Sequence, residues 1–167
     1  ELARLELVMT QLKEVEKERD AIVAGPPGED ATVVKIQQLN QLRSIAEETA
    51  TKLAREMYHR RFANTRQVGG FLGLDGSPMC SGQMAREQGI SKRGNRYIRR
   101  LLIHGARSCV THLDRARDGL GQWIDALRAR MHINKVIVAT AAKIARTVWA
   151  VVTRPGALYA RRDLVAA

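Results

Sequence analysis

The chain has 167 residues, of which 45% are hydrophobic and only 4% aromatic, and its formal net charge is +11. The scarcity of aromatic residues disfavours a β-sandwich or barrel and favours a helical core of Leu, Ile, Val and Ala. The excess of positive charge indicates a polyanionic partner, with nucleic acid as the first candidate and an anionic membrane surface as the second.

Residues 1–24 contain a row of side chains at alternating spacings of three and four, all apolar except Arg19. This pattern predicts a coiled-coil seam, but about three heptads also fit an amphipathic helix packed on its own domain. Residues 25–28 end that helix, and a second apolar stripe predicts another helix up to Leu42. We expect residues 1–42 to form a coiled-coil helical hairpin that mediates dimerisation. The seam consists of Leu5, Val8, Leu12, Val15, Arg19 and Ile22.

Residues 43–167 are predicted to form a compact helical domain, which makes the predicted fold class all-α. The last predicted helix is apolar around most of its circumference and is expected to be the central core helix. Lys143 and Arg146 interrupt it, which argues against a membrane span. The segment 73–89 has no periodic pattern and is expected to be a functional loop. Helices are predicted over 46–60, 65–72, 92–113, 118–131 and 134–153.

The helix predicted at 92–113 separates a core side from a cationic side. Six lysines or arginines and no acidic residue lie between positions 91 and 107. Such a face is suited to phosphate contacts, although many charged helix faces are merely solvated. The N–H groups at the start of the helix also favour a phosphate. We assign nucleic-acid contact to Arg66, Arg86, Lys92, Arg93, Asn95, Arg96 and Arg100.

Ser81 lies among small residues and is a candidate nucleophile, but no histidine or carboxylate stands at an informative spacing from it. A serine needs a base or a metal-assisted site for activation. From spacing alone, Ser77 and Cys80 remain alternatives, as does a structural turn. No Cys and His spacing typical of metal ligands occurs, so no metal site is predicted. The two cysteines form no framework, which indicates a reducing compartment.

The segment 60–102 resembles the C-terminal transposase domain of the DEDD-type insertion-sequence transposases. That family includes the Piv DNA invertases and the bridge-RNA-guided recombinases. The residues that carry the resemblance are Arg60-Arg61-Phe62, Asn64, Gly73-Leu74, Ser77-Pro78, Ser81-Gly82, Arg86-Glu87-Gln88-Gly89-Ile90-Ser91-Lys92 and Gly94-Asn95.

The resemblance implies a serine that attacks DNA and forms a covalent phosphoserine link, and Ser81 matches that serine. It also implies an N-terminal RuvC-like domain that binds Mg²⁺ through four acidic residues, and that domain is not found in this chain. Because the chain starts at Glu1 inside a helical pattern, we expect a fragment of a longer protein. Without the metal-binding domain that the resemblance implies, we expect this fragment to be inactive alone. The implied partners are DNA, a guide (bridge) RNA and further copies of the chain, in the prokaryotic cytoplasm near the nucleoid and without membrane contact.

One feature departs from the family pattern. Members usually carry a Gly-Ile-Gly turn after the coiled coil, whereas this chain has Ser44-Ile45-Ala46. A close approach of that turn to phosphate is therefore in doubt. Two other readings stay open from the residues themselves. One is a non-catalytic helical module that binds nucleic acid and dimerises, and the weaker one is a basic protein that binds a membrane surface.

Overall fold

The computed structural model describes residues 1–26, 30–42, 44–81, 84–114 and 119–154, without the side chains of 84, 85 and 87. The mostly α-helical class is confirmed, with one addition, a two-stranded antiparallel hairpin. The helices are α1 (Leu2–Ala24), α2 (Ala31–Asn40), α3 (Glu47–Lys52), a π-helical turn (Leu53–Met57), α4 (Thr65–Leu72), α5 (Arg96–His112), α6 (Gly119–Arg128) and α7 (Ile133–Thr153). The strands are β1 (Gly76–Ser81) and β2 (Met84–Ile90).

Helix α7 is the centre of the core, as its apolar composition predicts. It packs on α2, α4, α5 and α6, and Val136, Thr140 and Val148 are fully buried. The hydroxyl of Thr140 is satisfied because it donates to the carbonyl of Val136 at 2.8 Å. Among the described helices, α7 is long and apolar enough to span a membrane. Core helices meet the same test, and the contacts of α7 with four other helices are those of a core helix.

Helix α1 differs from the others because, within the described residues, it buries only Val23. It packs on α2, and the side-chain amide of Gln37 donates to the carbonyls of Val23 and Gly25 at 3.0 and 2.8 Å. Helix α2 also packs on α3, the π-helical turn and α7. The predicted domain boundary at residue 42 stays a prediction, as does dimerisation. The exposed seam side chains are Leu5, Val8, Leu12, Val15 and Ile22.

Polar side chains fix where the shorter helices begin. The carboxylate of Asp30 accepts from the amide of Thr32 at the start of α2. The side chain of Asn64 caps α4, and that of Asn95 caps α5. Each of these caps satisfies backbone N–H groups that have no partner inside the helix.

The prediction of a loop over 73–89 is wrong, because most of this segment forms the β1–β2 hairpin. Within β1 every residue is exposed except Ser77, which is half-buried. A strand that is wet on both faces does not alternate apolar and polar residues, so it leaves no period-two pattern. A hairpin in this position therefore escapes detection by periodicity.

The predicted boundaries of two helices also need correction. Helix α5 begins at Arg96 and not at Lys92, because Lys92 and Gly94 adopt left-handed backbone angles (φ 56° and 109°). The helix predicted over 46–60 is α-helical only to Lys52 and continues as the π-helical turn. Residues 27–28, 118 and 155–167, on which other predicted boundaries fall, lie outside the described residues.

Candidate functional site

Ser81 is the last residue of β1 and pairs with Met84, the first residue of β2. It therefore lies at the end of the hairpin that is farthest from the helices, and its side chain is exposed. Ser77, the first rival nucleophile, is four residues nearer the helices, which is about 13 Å along a strand. Gly82, which completes the serine-glycine pair of the resemblance, lies outside the described residues.

The strand register places Ser81 and Arg86 on the same face of the hairpin. Met79 pairs with Arg86 and Ser77 with Gln88, and paired residues point to one side of a sheet. The side-chain amide of Gln88 lies 3.3 Å from the sulfur of Met79, as this arrangement requires. Arg86 is thus a diagonal neighbour of Ser81. Cys80, the second rival, points to the opposite face.

Ser81 has no activating group among the described residues. Its hydroxyl makes no hydrogen bond to them, and they contain no group of three His, Cys, Asp or Glu side chains that fits a metal ion. A serine hydroxyl is a weak nucleophile without a base or metal. The described part of the site therefore brings a candidate nucleophile and a cation together, and its residues include neither a base for Ser81 nor a site for Mg²⁺.

Four hydrogen bonds hold the two ends of the hairpin together, and we call the segments 69–75 and 91–99 that make them the hairpin base. The amides of Ser91, Lys92 and Asn95 donate to the carbonyls of Asp75, Gly73 and Phe71 at 2.8, 3.1 and 2.9 Å. The guanidinium of Arg99 donates to the carbonyl of Leu72 at 2.9 Å. The end of α4 and the start of α5 are thereby joined directly beneath the hairpin.

Two glycines make this close approach possible. Gly73 (φ 64°) ends α4 in a Schellman motif, in which its amide and that of Leu74 donate to the carbonyls of Gly70 and Gly69. A Cβ at Gly73 would lie 2.0 Å from the carbonyl oxygen of Arg93. A Cβ at Gly94 would lie 2.2 Å from the carbonyl oxygen of Phe71. Both positions therefore exclude side chains, for backbone conformation as well as for space.

Sequence reasoning missed the role of Arg99. Its side chain is only 9% exposed, and its guanidinium lies at the C-terminal end of α4, where helix carbonyls favour a cation. A signal was present, because Arg99 is three and seven residues before the buried Leu102 and Ala106. Because Arg99 is charged and has other arginines as neighbours, its helical spacing from the core residues was not recognised as a sign of burial.

The structure separates the predicted nucleic-acid-binding residues into exposed cations and one structural asparagine. Asn95 accepts from the amides of Tyr97 and Ile98 and donates to the carboxylate of Glu56 at 3.0 Å. The oxygen and the nitrogen of its side chain both have partners within the fold, and its contact with nucleic acid stays a prediction. The exposed cations near the hairpin base are Lys92, Arg93, Arg96 and Arg100.

Tyr97 lies among charged groups on the exposed side of α5. Its hydroxyl donates to the carboxylate of Glu48, and that hydrogen bond raises the pKa of the phenol. The Arg100 guanidinium and the Lys52 ammonium lie 5.6 and 5.4 Å from the ring centre. Cations at this distance are attracted to an aromatic face. Tyr97 therefore orients Arg100 at the edge of the cationic surface.

A family model described as Transposase IS116/IS110/IS902 family matches residues 36–120, just over half of the chain and all of the hairpin base. The chain belongs to this transposase family. The resemblance to a transposase family is thereby confirmed, whereas the DEDD type, the Piv likeness and the bridge RNA stay predictions. The segment matched contains Ser81 and all the predicted nucleic-acid-binding residues.

Individual proteins that are similar to this chain also carry transposase names. The chain is 37% identical over 158 residues to the "Putative transposase y4rJ" of Sinorhizobium fredii, covering 89% of this chain and 39% of that protein. It is 42% identical over 94 residues to the "Transposase for insertion sequence element IS1111A" of Coxiella burnetii, covering 56% and 26%. The "Transposase for insertion sequence element IS1328" of Yersinia enterocolitica is 32% identical over 152 residues, covering 90% and 43%. The chain thus spans about two fifths or less of the length of these relatives.

Proposed function

We propose that this chain supplies the serine nucleophile and a nucleic-acid-binding surface for DNA strand cleavage and exchange in transposition. The observation that carries the proposal is that Ser81 and Arg86 share one exposed face of the hairpin. A serine hydroxyl that attacks a phosphodiester needs access to a large polymer and a cation near the phosphate oxygens. The hairpin offers both, and the family relationship makes DNA the polymer.

In the proposed step, the Ser81 Oγ attacks the phosphorus of the scissile phosphodiester in line with the bond to the 3′ oxygen. The Oγ–P bond forms, the P–O3′ bond breaks, and the serine proton ends on the released 3′ hydroxyl. One phosphoester replaces another, so no water or redox partner is consumed. Arg86 faces the phosphate oxygens, where positive charge stabilises the crowded transition state.

The described residues do not fit a Mg²⁺ site, since no cluster of carboxylates occurs among them. If the reaction uses Mg²⁺, as the resemblance implies, we place its ligands outside these residues. The same holds for the group that takes the serine proton and passes it to the released 3′ oxygen. We further propose homo-oligomerisation through α1, because its seam is exposed in a single chain. We also propose that the protein binds a guide RNA, and this proposal rests on the resemblance and on the cationic surface.

The test is Ser81→Ala in the full-length transposase, with a labelled duplex that contains an end of the insertion sequence. We expect the denaturation-resistant protein–DNA adduct to disappear while the Kd for the duplex stays within about twofold, because one hydroxyl adds little to a surface dominated by phosphate contacts. Ser77→Ala and Cys80→Ala are matched controls that should keep the adduct. Adducts that survive Ser81→Ala would refute the nucleophilic role.

A non-catalytic module that binds nucleic acid is the second candidate, because the Ser81 hydroxyl makes no hydrogen bond among the described residues. It predicts that Ser81→Ala leaves recombination unchanged. It also predicts that Arg96→Glu with Arg100→Glu abolishes recombination through loss of binding. The same set of variants therefore separates the two functions.

A further inference from the structure

The polar side of α7 faces the hairpin base, although α7 is otherwise the core helix. Lys135, Ala142 and Arg146 follow one another at spacings of seven and four, which places them on one face of the helix. Lys135 and Arg146 are exposed. Ala142 lies between them and lines two depressions that flank the hairpin base, and Leu74 and Gly76 also line both.

The first depression is a groove of about 650 Å³ between β2 and the N-terminal half of α7. Its floor is apolar and includes Ile90, Val138 and Ala139. Lys92 and Lys135, whose side chains are exposed, also line the groove and bring positive charge to its rim. An apolar floor with cations at the rim fits a sugar or base below and a phosphate above. Gln88 and Asn134 also line the rim.

The groove is continuous with the face of the hairpin that carries Ser81. Gln88 lines the groove and pairs with Ser77 on that same face. Met84, the partner of Ser81, is four residues away along β2, about 13 Å. A strand that occupies the groove would therefore be directed along this face toward Ser81.

The second depression is a cleft of about 260 Å³ between α4 and α7. Arg66 from α4 and Arg146 from α7 line it, together with Asp75 of the hairpin base. The carboxylate of Asp75 lies against the backbone of Gly69, where a Cβ would be 1.9 Å from its oxygen. Asp75 therefore occupies a space that exists only because residue 69 is a glycine. The cleft has two positive charges, from Arg66 and Arg146, and one negative charge, from Asp75.

The two depressions carry an uncompensated positive charge. Lys92, Lys135, Arg66 and Arg146 line them, against the single carboxylate of Asp75. Within the described part of the chain, none of these four cations forms an ion pair. Arg146 also donates from its Nε to the carbonyl of Ala142 at 3.0 Å, which leaves its charge without a carboxylate partner. Four cations without an ion-pair partner along two adjoining depressions are the arrangement expected of a surface that binds phosphates.

We propose that the groove and the cleft form one track, which we call the α7 track, for a strand of nucleic acid that leads to Ser81. The proposal rests on the proposed function and adds Lys135 and Arg146 to its binding surface. These two residues are eleven positions apart on α7, about 16 Å along the axis. A single nucleotide or free phosphate cannot reach both ends, so the ligand is a polymer with several phosphates.

The test measures binding of the chain to a fluorescein-labelled 20-nucleotide DNA strand, and to the matching duplex, by anisotropy in KCl. We expect Lys135→Glu with Arg146→Glu to raise the Kd at least tenfold at 0.1 M KCl. The plot of log association constant against log KCl concentration should become less steep. The magnitude of its negative slope should decrease by about 1.4 to 1.8, as for the loss of two phosphate contacts. Circular dichroism and thermal unfolding of each variant show whether the fold is kept.

The matched control reverses Lys13 and Lys17, which are exposed on α1 outside the seam, and should change the Kd by less than twofold. An equal loss in both double variants would overturn the track, because bulk charge alone would explain it. So would unchanged binding by the α7 variant, or competition by a mononucleotide at the same molar concentration as the strand.

A further pair of changes separates this failure from failure of the proposed function. If Arg96→Glu with Arg100→Glu weakens binding and the α7 variant does not, the track is wrong and the cationic surface of α5 stands. If neither variant weakens binding, or the unaltered chain does not bind the strand at 50 mM KCl, both the track and the proposed binding surface are wrong.

Discussion

The outer part of the hairpin and the hairpin base belong to one continuous segment but are built in opposite ways. Where their side chains are described, the strands β1 and β2 are exposed except at the half-buried Ser77 and Ile90, and they pack mainly on each other. The base contains the buried side chains of Leu72, Leu74 and Arg99, and two glycines with left-handed angles. The outer part is therefore open to a large substrate, whereas the base is fixed to the core.

This difference shows how an exposed side chain such as that of Ser81, the proposed nucleophile, can still be held in place. A side chain that must meet a polymer cannot be buried, so its placement depends on a rigid support nearby. The four hydrogen bonds of the base supply that support, and three of them are donated by backbone amides within the motif Ser91-Lys92-Arg93-Gly94-Asn95. The backbone of this motif therefore stabilises the hairpin base, while its Lys and Arg side chains stay exposed.

The largest effect that tests this comparison should come from Gly73→Ala. The new Cβ meets the carbonyl oxygen of Arg93, and the left-handed backbone at this position is itself unfavourable for alanine. We expect a loss of about 3 kcal/mol or more in the free energy of unfolding, measured by urea denaturation followed by circular dichroism. Gly89→Ala, on β2 with open space around it, should change stability by less than about 0.5 kcal/mol. Equal effects would contradict the contrast between base and strands.

A smaller effect is expected for Arg99→Met. The substitution keeps much of the apolar volume but leaves the carbonyl of Leu72 without its donor and removes a cation from the end of α4. The expected loss is about 1 to 3 kcal/mol. Arg100→Met, on the exposed side of the same helix, should cost less than about 0.5 kcal/mol. If the exposed arginine mattered as much, the buried one would have no special part in the base.

The smallest effect is expected for Asn95→Ala, which removes the cap of α5. Two amides lose their acceptor, which costs about 1 to 2 kcal/mol. Asn95→Asp keeps the capping oxygen and should recover part of this loss, limited by repulsion from Glu56. Under conditions where all variants are folded, we expect the affinity for DNA to change less than threefold. A larger loss of affinity at unchanged stability would make Asn95 a direct contact, as the sequence predicts.

Several helices could be predicted from the sequence because each of them is buried either on one side or around most of its circumference. Helix α7 is recognisable from its nearly continuous apolar surface, and α5 from the separation of core and cationic faces. Net charge, a sum over residues, needs no structure. Ser81 was singled out by its resemblance to a known motif, since spacing alone left Ser77 and Cys80 as alternatives.

Only the tertiary structure decided how these parts meet. Strand register placed Arg86 on the face of Ser81 and Cys80 on the other, and the exposed hairpin leaves no periodic pattern from which that register follows. Helix packing buried Arg99 while Arg100 stayed exposed, and it brought the polar side of α7 to the hairpin base. The periodicity of apolar residues predicts which side of a helix or strand is buried. Which element lies opposite depends on contacts between residues far apart in the chain, and these are fixed only when the core is packed.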